Sequence, residues 1–310
     1  LKALTHERLQ DWKSKLAATS LRICELTGDS DRAAEEQTRG AGLILTTPEK
    51  WDSFTRFRRD AQSVISRVAL LLVDEIHILG EEGRGPTLEA VIARMKILSR
   101  SPVVAQLPVA HLRIIGVSAT ISNIADICAW IGGGCSLKHF DQRYRPVPLR
   151  WHVEAYDMFK PFTFDKFLFT RLYGIVQRYC SRRPSLIFCN SRSNAAAAAS
   201  AVATQSSGND GGSDELRAAA RSCSDRGLAR LLERGVAFHH SGLAPRDRRV
   251  VEEAFLSGAL PVLCSTSGLA QGVNLPAHLV VICNSSQYAS GGYREYTNIE
   301  MLQMAGRAGR

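Results

Sequence analysis

Eight short apolar runs, separated by segments with helical patterning, constrain the fold of this chain more than any other feature. The runs are LRICEL, GLILTT, VALLLV, LRIIGVS, SLIFCN, GVAFHH, LPVLCST and LVVICN. Continuous apolar runs of this length are typical of strands buried on both faces of a parallel sheet. Their alternation with helices predicts an α/β fold in which helices flank parallel sheets.

Helical patterns lie between these runs, and the clearest is TLEAVIARMKIL, which follows the breaker pair Gly85–Pro86. Apolar residues at the spacing of one helix face predict which side of it is buried: Leu88, Val91, Ile92 and Met95. SNIADICAWIG predicts a second helix, capped by Ser122 or Asn123, and NAAAAASAVA predicts a third. The tract TQSSGNDGGSD, residues 204–214, is expected to be a solvated loop.

The chain is long enough to form two domains, because 310 residues exceed one ordinary core. RYRPVPLRW combines two prolines and several arginines with no helical period, which indicates a crossing segment. We therefore expect a first domain over 1–140, a linker over 141–150 and a second domain over 151–310.

Charge and cysteine usage limit the class of protein. The net charge of +9 favours a polyanionic partner, although arginine-rich usage alone also produces a basic chain. The eight cysteines form no CxxC pair and lie mostly inside apolar runs, which predicts a reduced, intracellular protein without zinc. No run of eighteen apolar residues occurs, so we expect no membrane span.

The stretch RVALLLVDEIHILG places two acids and a histidine directly after a predicted strand. Ligands of open parallel sheets bind outside the carboxyl ends of the strands. Asp74 is therefore expected to hold Mg²⁺ through water, and Glu75 to accept a proton from the water that attacks a terminal phosphate. His77 is close enough to contact the same phosphate or a neighbouring domain. The alternative is a buried strand that runs into a polar turn, with a histidine that only packs.

Seven segments occur in the order of the motifs of a known enzyme family. LTTPEKWD, VDEIH, GVSAT, LIFCNSR, FHHSGL, STSGLAQGVNLPA and QMAGRAGR resemble motifs Ib, II, III, IV, IVa, V and VI of the superfamily-two DExH helicases. DEIH with RGPTLE, and GVNLPAH with GRAGR, resemble the Ski-two-like branch. RGPTLEAVIARMK, PSLIFCNSR and EYTNIEMLQMAGRAGR are similar to the meiotic Mer-three type of DNA helicase. The resemblance implies two tandem RecA-like domains, each a parallel sheet flanked by helices, and both incomplete here.

The resemblance also implies a nucleotide site for ATP and Mg²⁺. Its residues would be Asp74, Glu75, His77, Asn274, Gln303, Arg307 and Arg310. In this assignment His77 links to the second domain, Asn274 faces the sugar, and the arginines grip the terminal phosphate with a planar, permanently charged fork. Ser118 and Thr120 would couple hydrolysis to strand movement. The alternatives are a turn that starts a helix for SAT and a basic loop for GRAGR.

A nucleic-acid edge is implied by the same motifs, through Thr47, Pro48, Glu49, Arg192, His240, Ser241 and Thr266. Contacts of these types hold a phosphate backbone without reading sequence. The alternative for each single hydroxyl is a helix cap or a turn.

Two departures from the family pattern stand out. Gly268 occupies a motif V position where most relatives carry threonine, which puts one backbone contact in doubt. No GxxxxGK[ST] phosphate-binding loop occurs, although the resemblance puts one just before LKAL. The winged-helix and ratchet domains of the family are also not found after motif VI. We therefore expect a fragment of a longer helicase that lacks normal turnover alone.

The function implied is an ATP-dependent DNA helicase or translocase with three-prime to five-prime movement, acting in meiotic recombination and crossover formation in the nucleus. Its partner would be single-stranded or branched DNA, with no membrane, and protein partners are left open. Two alternatives remain: an RNA helicase of the spliceosomal or RNA-processing Ski-two-like branch, and a catalytically silent nucleic-acid-binding product. Retention of Asp74, Glu75, Arg307 and Arg310 together favours the helicase.

Overall fold

The computed structural model describes residues 2–28, 36–57, 61–81, 83–118, 121, 123–132, 134–157, 161–180, 183–206, 213–272, 275–289 and 292–309. The chain divides into two compact units, Leu1–Lys138 and His139–Arg310. The assignment of residues 141–150 as a linker between domains stays a prediction. Among the described helices, none has the length and apolar character needed to cross a membrane.

The described part of the first unit has two pairs of parallel strands and a set of α-helices. The helices are α1 (Lys2–Lys15), α2 (Pro48–Phe57), α3 (Ala61–Ile65), α4 (Gly85–Ser99) and α5 (Ile124–Ile131). The strands are β1 (Ile23–Leu26), β2 (Leu43–Thr46), β3 (Leu70–Val73) and β4 (Arg113–Gly116), with β1 beside β2 and β3 beside β4. Short 3₁₀ helices cover Thr38–Gly40, Ile76–Gly80, Pro102–Val104 and Pro108–His111.

Helix α4 buries the apolar stripe that the sequence predicts, because Leu88, Val91, Ile92 and Met95 are all buried. The helix begins two residues earlier than expected, and Gly85 and Pro86 lie in its first turn. Proline suits this position because the first N–H groups of a helix need no intrahelical partner. Glycine suits Gly85 because a Cβ there would lie 2.3 Å from the carbonyl oxygen of Leu79.

Strand β3 is not buried on both faces, contrary to the prediction for VALLLV. Leu70 and Leu72 are 45% and 48% exposed, while Val73 is buried. Successive side chains of a strand point to opposite faces of its sheet. Within the described chain, Val73 packs with Leu88 and Ile92 of α4, so β3 is covered on that face.

The second unit is built on a four-stranded parallel sheet in the order β6-β7-β5-β8. These strands are β5 (Ser185–Cys189), β6 (Val236–His239), β7 (Val262–Thr266) and β8 (Leu279–Ile282). An antiparallel hairpin follows, formed by β9 (Ser286–Ala289) and β10 (Gly292–Glu295). The helices are α6 (Pro161–Cys180), α7 (Arg192–Gln205), α8 (Asp214–Ser222), α9 (Arg226–Leu232), α10 (Pro245–Leu256), α11 (Gly268–Gly272) and α12 (Asn298–Ala305), and Gln142–Tyr144 is a 3₁₀ turn.

The core of the second unit surrounds β5, every residue of which is buried. The alanine-rich α7 packs against it with a face that combines small residues and one valine: Ala195, Ala198, Ala199, Val202 and Ala203. The predicted loop 204–214 is shorter than expected, because Gln205 ends α7 and Asp214 begins α8. The middle of that loop, 207–212, lies outside the described residues.

All eight predicted runs form strands, and the three sheets that they build are parallel, so the predicted α/β class is confirmed. The helix predicted in SNIADICAWIG is α5, with Asn123 at its N-cap, although no hydrogen bond from the Asn123 side chain caps it. Ser122 lies outside the described residues. The β9–β10 hairpin was not predicted, although a Gly-Gly pair between two tyrosine-bearing runs is a hairpin signal.

Candidate functional site

The acid pair lies at the carboxyl end of β3, as its sequence position requires. Asp74 follows the last strand residue, and its Oδ1 accepts a hydrogen bond of 3.0 Å from the backbone N–H of Glu75. Glu75 is the single non-glycine residue with a positive φ among those described, at φ 54 and ψ 48. The left-handed region costs about 1–2 kcal/mol for a residue with a Cβ, and such strain concentrates at functional sites.

His77 joins the acid pair to the end of β4. It lies in the 3₁₀ turn Ile76–Gly80, and its side chain is only 5% exposed. Its Nδ1 is 3.2 Å from a carboxylate oxygen of Glu75 and 3.4 Å from the hydroxyl oxygen of Ser118. The structure therefore brings Glu75, His77 and Ser118 together within the first unit. The domain-linking role of His77 stays a prediction, and Thr120 lies outside the described residues.

The predicted contacts after β2 have local structural partners. The Thr47 hydroxyl accepts a hydrogen bond of 3.3 Å from the backbone N–H of Lys50, so Thr47 caps α2 and Pro48 is the first residue of that helix. Glu49 accepts a hydrogen bond of 2.9 Å from the Nε of Arg84. Burial alone would raise the pKa of Glu49, but the hydrogen bond and charge of Arg84, together with bonds from the Glu49 backbone and Thr47, outweigh burial and lower that pKa.

In the second unit, the residues predicted to face nucleic acid share one edge of the parallel sheet. Arg192 follows β5, His240 follows β6, and Thr266 ends β7. A guanidinium N–H of Arg192 donates to the Ser241 hydroxyl at 2.9 Å. The backbone N–H of Gly242 donates to Nδ1 of His240 at 3.2 Å. The structure thus assembles a hydroxyl, an imidazole and an arginine where sequence-independent phosphate contacts were predicted.

The surroundings of His240 favour its neutral form. Burial and the positive charge of Arg192 lower the pKa of His240 below its ordinary value of 6.5. The imidazole also stacks on Phe238, with ring centroids 5.5 Å apart. A neutral ring is required by the bond from Gly242, because Nδ1 accepts only when it carries no proton. The positive charge at this edge therefore comes from Arg192.

The predicted motif VI residues follow or belong to α12. Gln303 is half-buried on that helix, and the Arg307 guanidinium donates to the carbonyl of Ala270 in α11. Arg310 and Asn274 lie outside the described residues. Gly268 begins α11, and a Cβ placed there would meet no atom within 4 Å. The space around Gly268 therefore does not explain why glycine occupies a position where most relatives carry threonine.

Sequence reasoning missed two carboxylates that organise these edges. Asp165 accepts from Asn194 at 2.6 Å, from Asn190 at 3.4 Å and from Asn284 at 2.6 Å. No local sequence pattern predicts these contacts of Asp165, because its partners lie 25 to 119 positions away. The second carboxylate is Glu300, which forms a capping box with Thr297 at the start of α12. The spacing T-x-x-E is a sequence signal that identifies this pair.

Comparison with known proteins agrees with this geometry. Residues 1–127 match the DEAD/DEAH box helicase family, and residues 170–310 match the helicase conserved C-terminal domain. The predicted pair of tandem RecA-like helicase domains is thereby confirmed as the class of fold.

Three relatives are similar along the whole chain. The chain is 42% identical to the probable ATP-dependent DNA helicase HFM1 of Homo sapiens and 38% identical to the ATP-dependent DNA helicase homolog MER3 of Arabidopsis thaliana. It is 36% identical to the pre-mRNA-splicing factor brr2 of Schizosaccharomyces pombe. All of the chain is matched in each case, but it spans only 22%, 28% and 14% of those proteins. The chain therefore carries the two domains of the helicase family and is similar over its whole length to helicases of the Mer-three type, as its motifs predicted.

Proposed function

We propose that this chain is the hydrolytic and strand-binding core of an ATP-dependent DNA helicase. The observation that carries the proposal is Glu75, a carboxylate held in the left-handed region directly after a parallel strand. Backbone strain of this kind is concentrated at functional sites. The carboxyl end of a parallel strand is also where ligands of open sheets bind, so a general base at this position would face the ligand.

The first unit supplies acids suited to the hydrolysis of ATP. The exposed carboxylate of Asp74 offers oxygen ligands at the edge where phosphates bind in parallel sheets, and Mg²⁺ prefers oxygen ligands and retains several waters. Magnesium supplies neutralisation of phosphate charge when bound. Glu75 accepts the proton of the attacking water, and His77 orients the Glu75 carboxylate from a buried position 3.2 Å away.

The second unit supplies a surface for a nucleic-acid backbone. Arg192 contributes the charge, and Ser241 and Thr266 contribute hydroxyls at the same sheet edge. Such contacts bind phosphates without reading bases, so affinity should fall steeply as salt concentration rises. Gln303, Arg307 and Arg310 are proposed to act at the nucleotide, as in the motif that they resemble.

The chain spans about a quarter of its helicase relatives, and we propose that it is likewise part of a longer protein, which is then the proper test object. We propose that it moves three-prime to five-prime on single-stranded or branched DNA in meiotic recombination and acts in the nucleus. The chain alone, which carries no GxxxxGK[ST] loop, should hydrolyse almost no ATP. Steady-state ATP hydrolysis with single-stranded DNA, and unwinding of duplexes with one three-prime or five-prime tail, test both points.

A second candidate is an RNA helicase, which is favoured by the 36% identity to the splicing factor. The same hydrolysis assay discriminates the two when DNA and RNA of matched length and sequence are compared. Stronger stimulation by RNA would replace the DNA proposal. A longer protein with no hydrolysis on either polymer, yet with salt-sensitive binding, would instead be the catalytically silent product.

A further inference from the structure

A chain of polar contacts joins the residue after Thr266 to helix α12. The Ser267 hydroxyl donates to Oε1 of Gln287 at 2.8 Å, and Nε2 of Gln287 donates to Oε1 of Glu300 at 2.9 Å. Ser267 lies between β7 and α11, Gln287 on β9, and Glu300 on α12. Three elements far apart in sequence are thus connected by one serine, one amide and one carboxylate.

Glu300 lies at one end of this series of polar contacts and is held firmly in place. Its side chain is 14% exposed and accepts two hydrogen bonds from the Arg294 guanidinium, at 2.6 and 2.9 Å. It also accepts from the backbone N–H of Thr297 at 2.8 Å. Burial alone would raise the pKa of Glu300, but the bonds from Arg294 and Thr297 lower it to about 2. The carboxylate therefore stays ionised and holds the Gln287 amide in one orientation, because a flipped amide would direct its oxygen at the charge.

A second hydrogen bond connects the same two segments. The Arg307 guanidinium, just beyond α12, donates to the Ala270 carbonyl of α11. Since α11 begins one residue after Ser267, the segment that carries Thr266 and Ser267 is attached to both ends of α12. Contacts at both ends of an eight-residue helix give a shift of Ser267 a connected path to Gln303 and Arg307.

We propose that Ser267, Gln287 and Glu300 form a positioning link that couples nucleic-acid binding at Thr266 to the placement of Gln303 and Arg307. The inference rests on the proposed function, because Thr266 is there the nucleic-acid contact and Gln303 and Arg307 act at the nucleotide. Binding of a phosphate at Thr266 fixes the adjacent Ser267, and the link transmits that position to α12. None of the three linking residues needs to touch ATP or nucleic acid.

The sharpest perturbation is Gln287→Met, which removes both hydrogen bonds of the amide at nearly constant volume and leaves the Arg294–Glu300 pair intact. Ser267→Ala breaks the opposite end of the same link. In the longer protein, each variant should lower DNA-stimulated ATP turnover by about tenfold, the size typical of coupling between distant sites. Turnover without DNA, and DNA affinity without nucleotide, should each stay within about threefold, since the binding residues are untouched.

The double variant Ser267→Ala with Gln287→Met provides a test of connectivity. If Ser267 and Gln287 act through one link, either substitution alone already breaks that link. DNA stimulation in the double variant should therefore be no lower than in either single variant. Asn298→Ala is the matched control, because Asn298 is exposed in the first turn of the same helix and is not one of the linking residues. It should keep DNA stimulation.

Each outcome decides the proposal. Stimulation within about twofold of the unmodified protein in Gln287→Met, additive losses in the double variant, or an equal loss in Asn298→Ala would overturn the link while leaving the helicase proposal intact. If Gln287→Met does not fold, Ser267→Ala alone gives the decision by the same criteria. An unmodified protein whose turnover neither DNA nor RNA stimulates would overturn the proposed function and the link together.

Discussion

Replacement of Glu75 by glutamine separates binding from chemistry. The side chain is 51% exposed, and its charged contact is with His77 at 3.2 Å, so loss of its charge should cost under about 1 kcal/mol of stability. Glutamine keeps the shape and the same left-handed strain, so the backbone should not move. The amide, however, cannot take a proton from water, and general-base catalysis contributes about 10² to 10⁴ in rate. We therefore expect turnover in the longer protein to fall by at least about 10²-fold.

The assay pairs steady-state ATP hydrolysis in the presence of single-stranded DNA with nucleotide affinity for the same variant. Affinity should remain within a few-fold, because in the proposed function Asp74 and a phosphate-binding loop of the longer protein hold the nucleotide. Glu81→Gln is the control, since Glu81 is an exposed carboxylate at the end of the same 3₁₀ turn. If Glu75→Gln kept turnover within a few-fold of the unmodified protein, Glu75 would be only a strained residue at a strand end.

Three further outcomes are expected. Arg192→Ala should weaken DNA binding equally for all sequences and reduce the slope of log affinity against log salt by about 0.7, measured by titration at several salt concentrations. Asp247 is buried and accepts from the backbone N–H groups of Ser224 and Asp225, so Asp247→Ala should cost about 3 kcal/mol in denaturant unfolding, and Asp247→Asn less. Glu300 has a folded pKa of about 2, below its ordinary 4.5, so its stabilising contribution should be present above pH 4.5 and lost as pH falls toward 2. Unfolding of Glu300→Gln should depend less on pH across that range.

Local patterns in the sequence predicted the parts of the fold that local physics decides. Apolar runs gave all eight parallel strands, because a buried strand needs continuous apolar side chains. The exposed faces of Leu70 and Leu72 were not predicted, because an apolar strand looks the same whether one face or both are covered. Motif order also located the acids, which follow their strand directly. Contacts such as Asp165 with Asn284 depend on how distant segments pack, and no spacing rule reveals them.

The left-handed conformation of Glu75 shows a different limit on what can be predicted from sequence. Glycine, asparagine and aspartate are the residues that indicate a positive φ in a sequence, and glutamate is not among them. The conformation is imposed by the surroundings: Asp74 fixes the Glu75 N–H, and Ile76 pairs with the Val117 carbonyl at 2.9 Å. Strain of this kind is visible only in the folded chain.

The alternatives posed for single hydroxyls are not mutually exclusive. Thr47 caps α2 by accepting from Lys50, but a hydroxyl has one donor and two acceptor positions, and capping uses only an acceptor. The same cap places Thr47 at a helix N-terminus, where backbone N–H groups and the helix dipole favour an anion. Arg192 likewise contacts Ser241 through one N–H of its five. A structural role at the end of a strand or helix therefore leaves these groups with donors for the phosphate contact that is proposed for them, and a cap or turn is no argument against that contact.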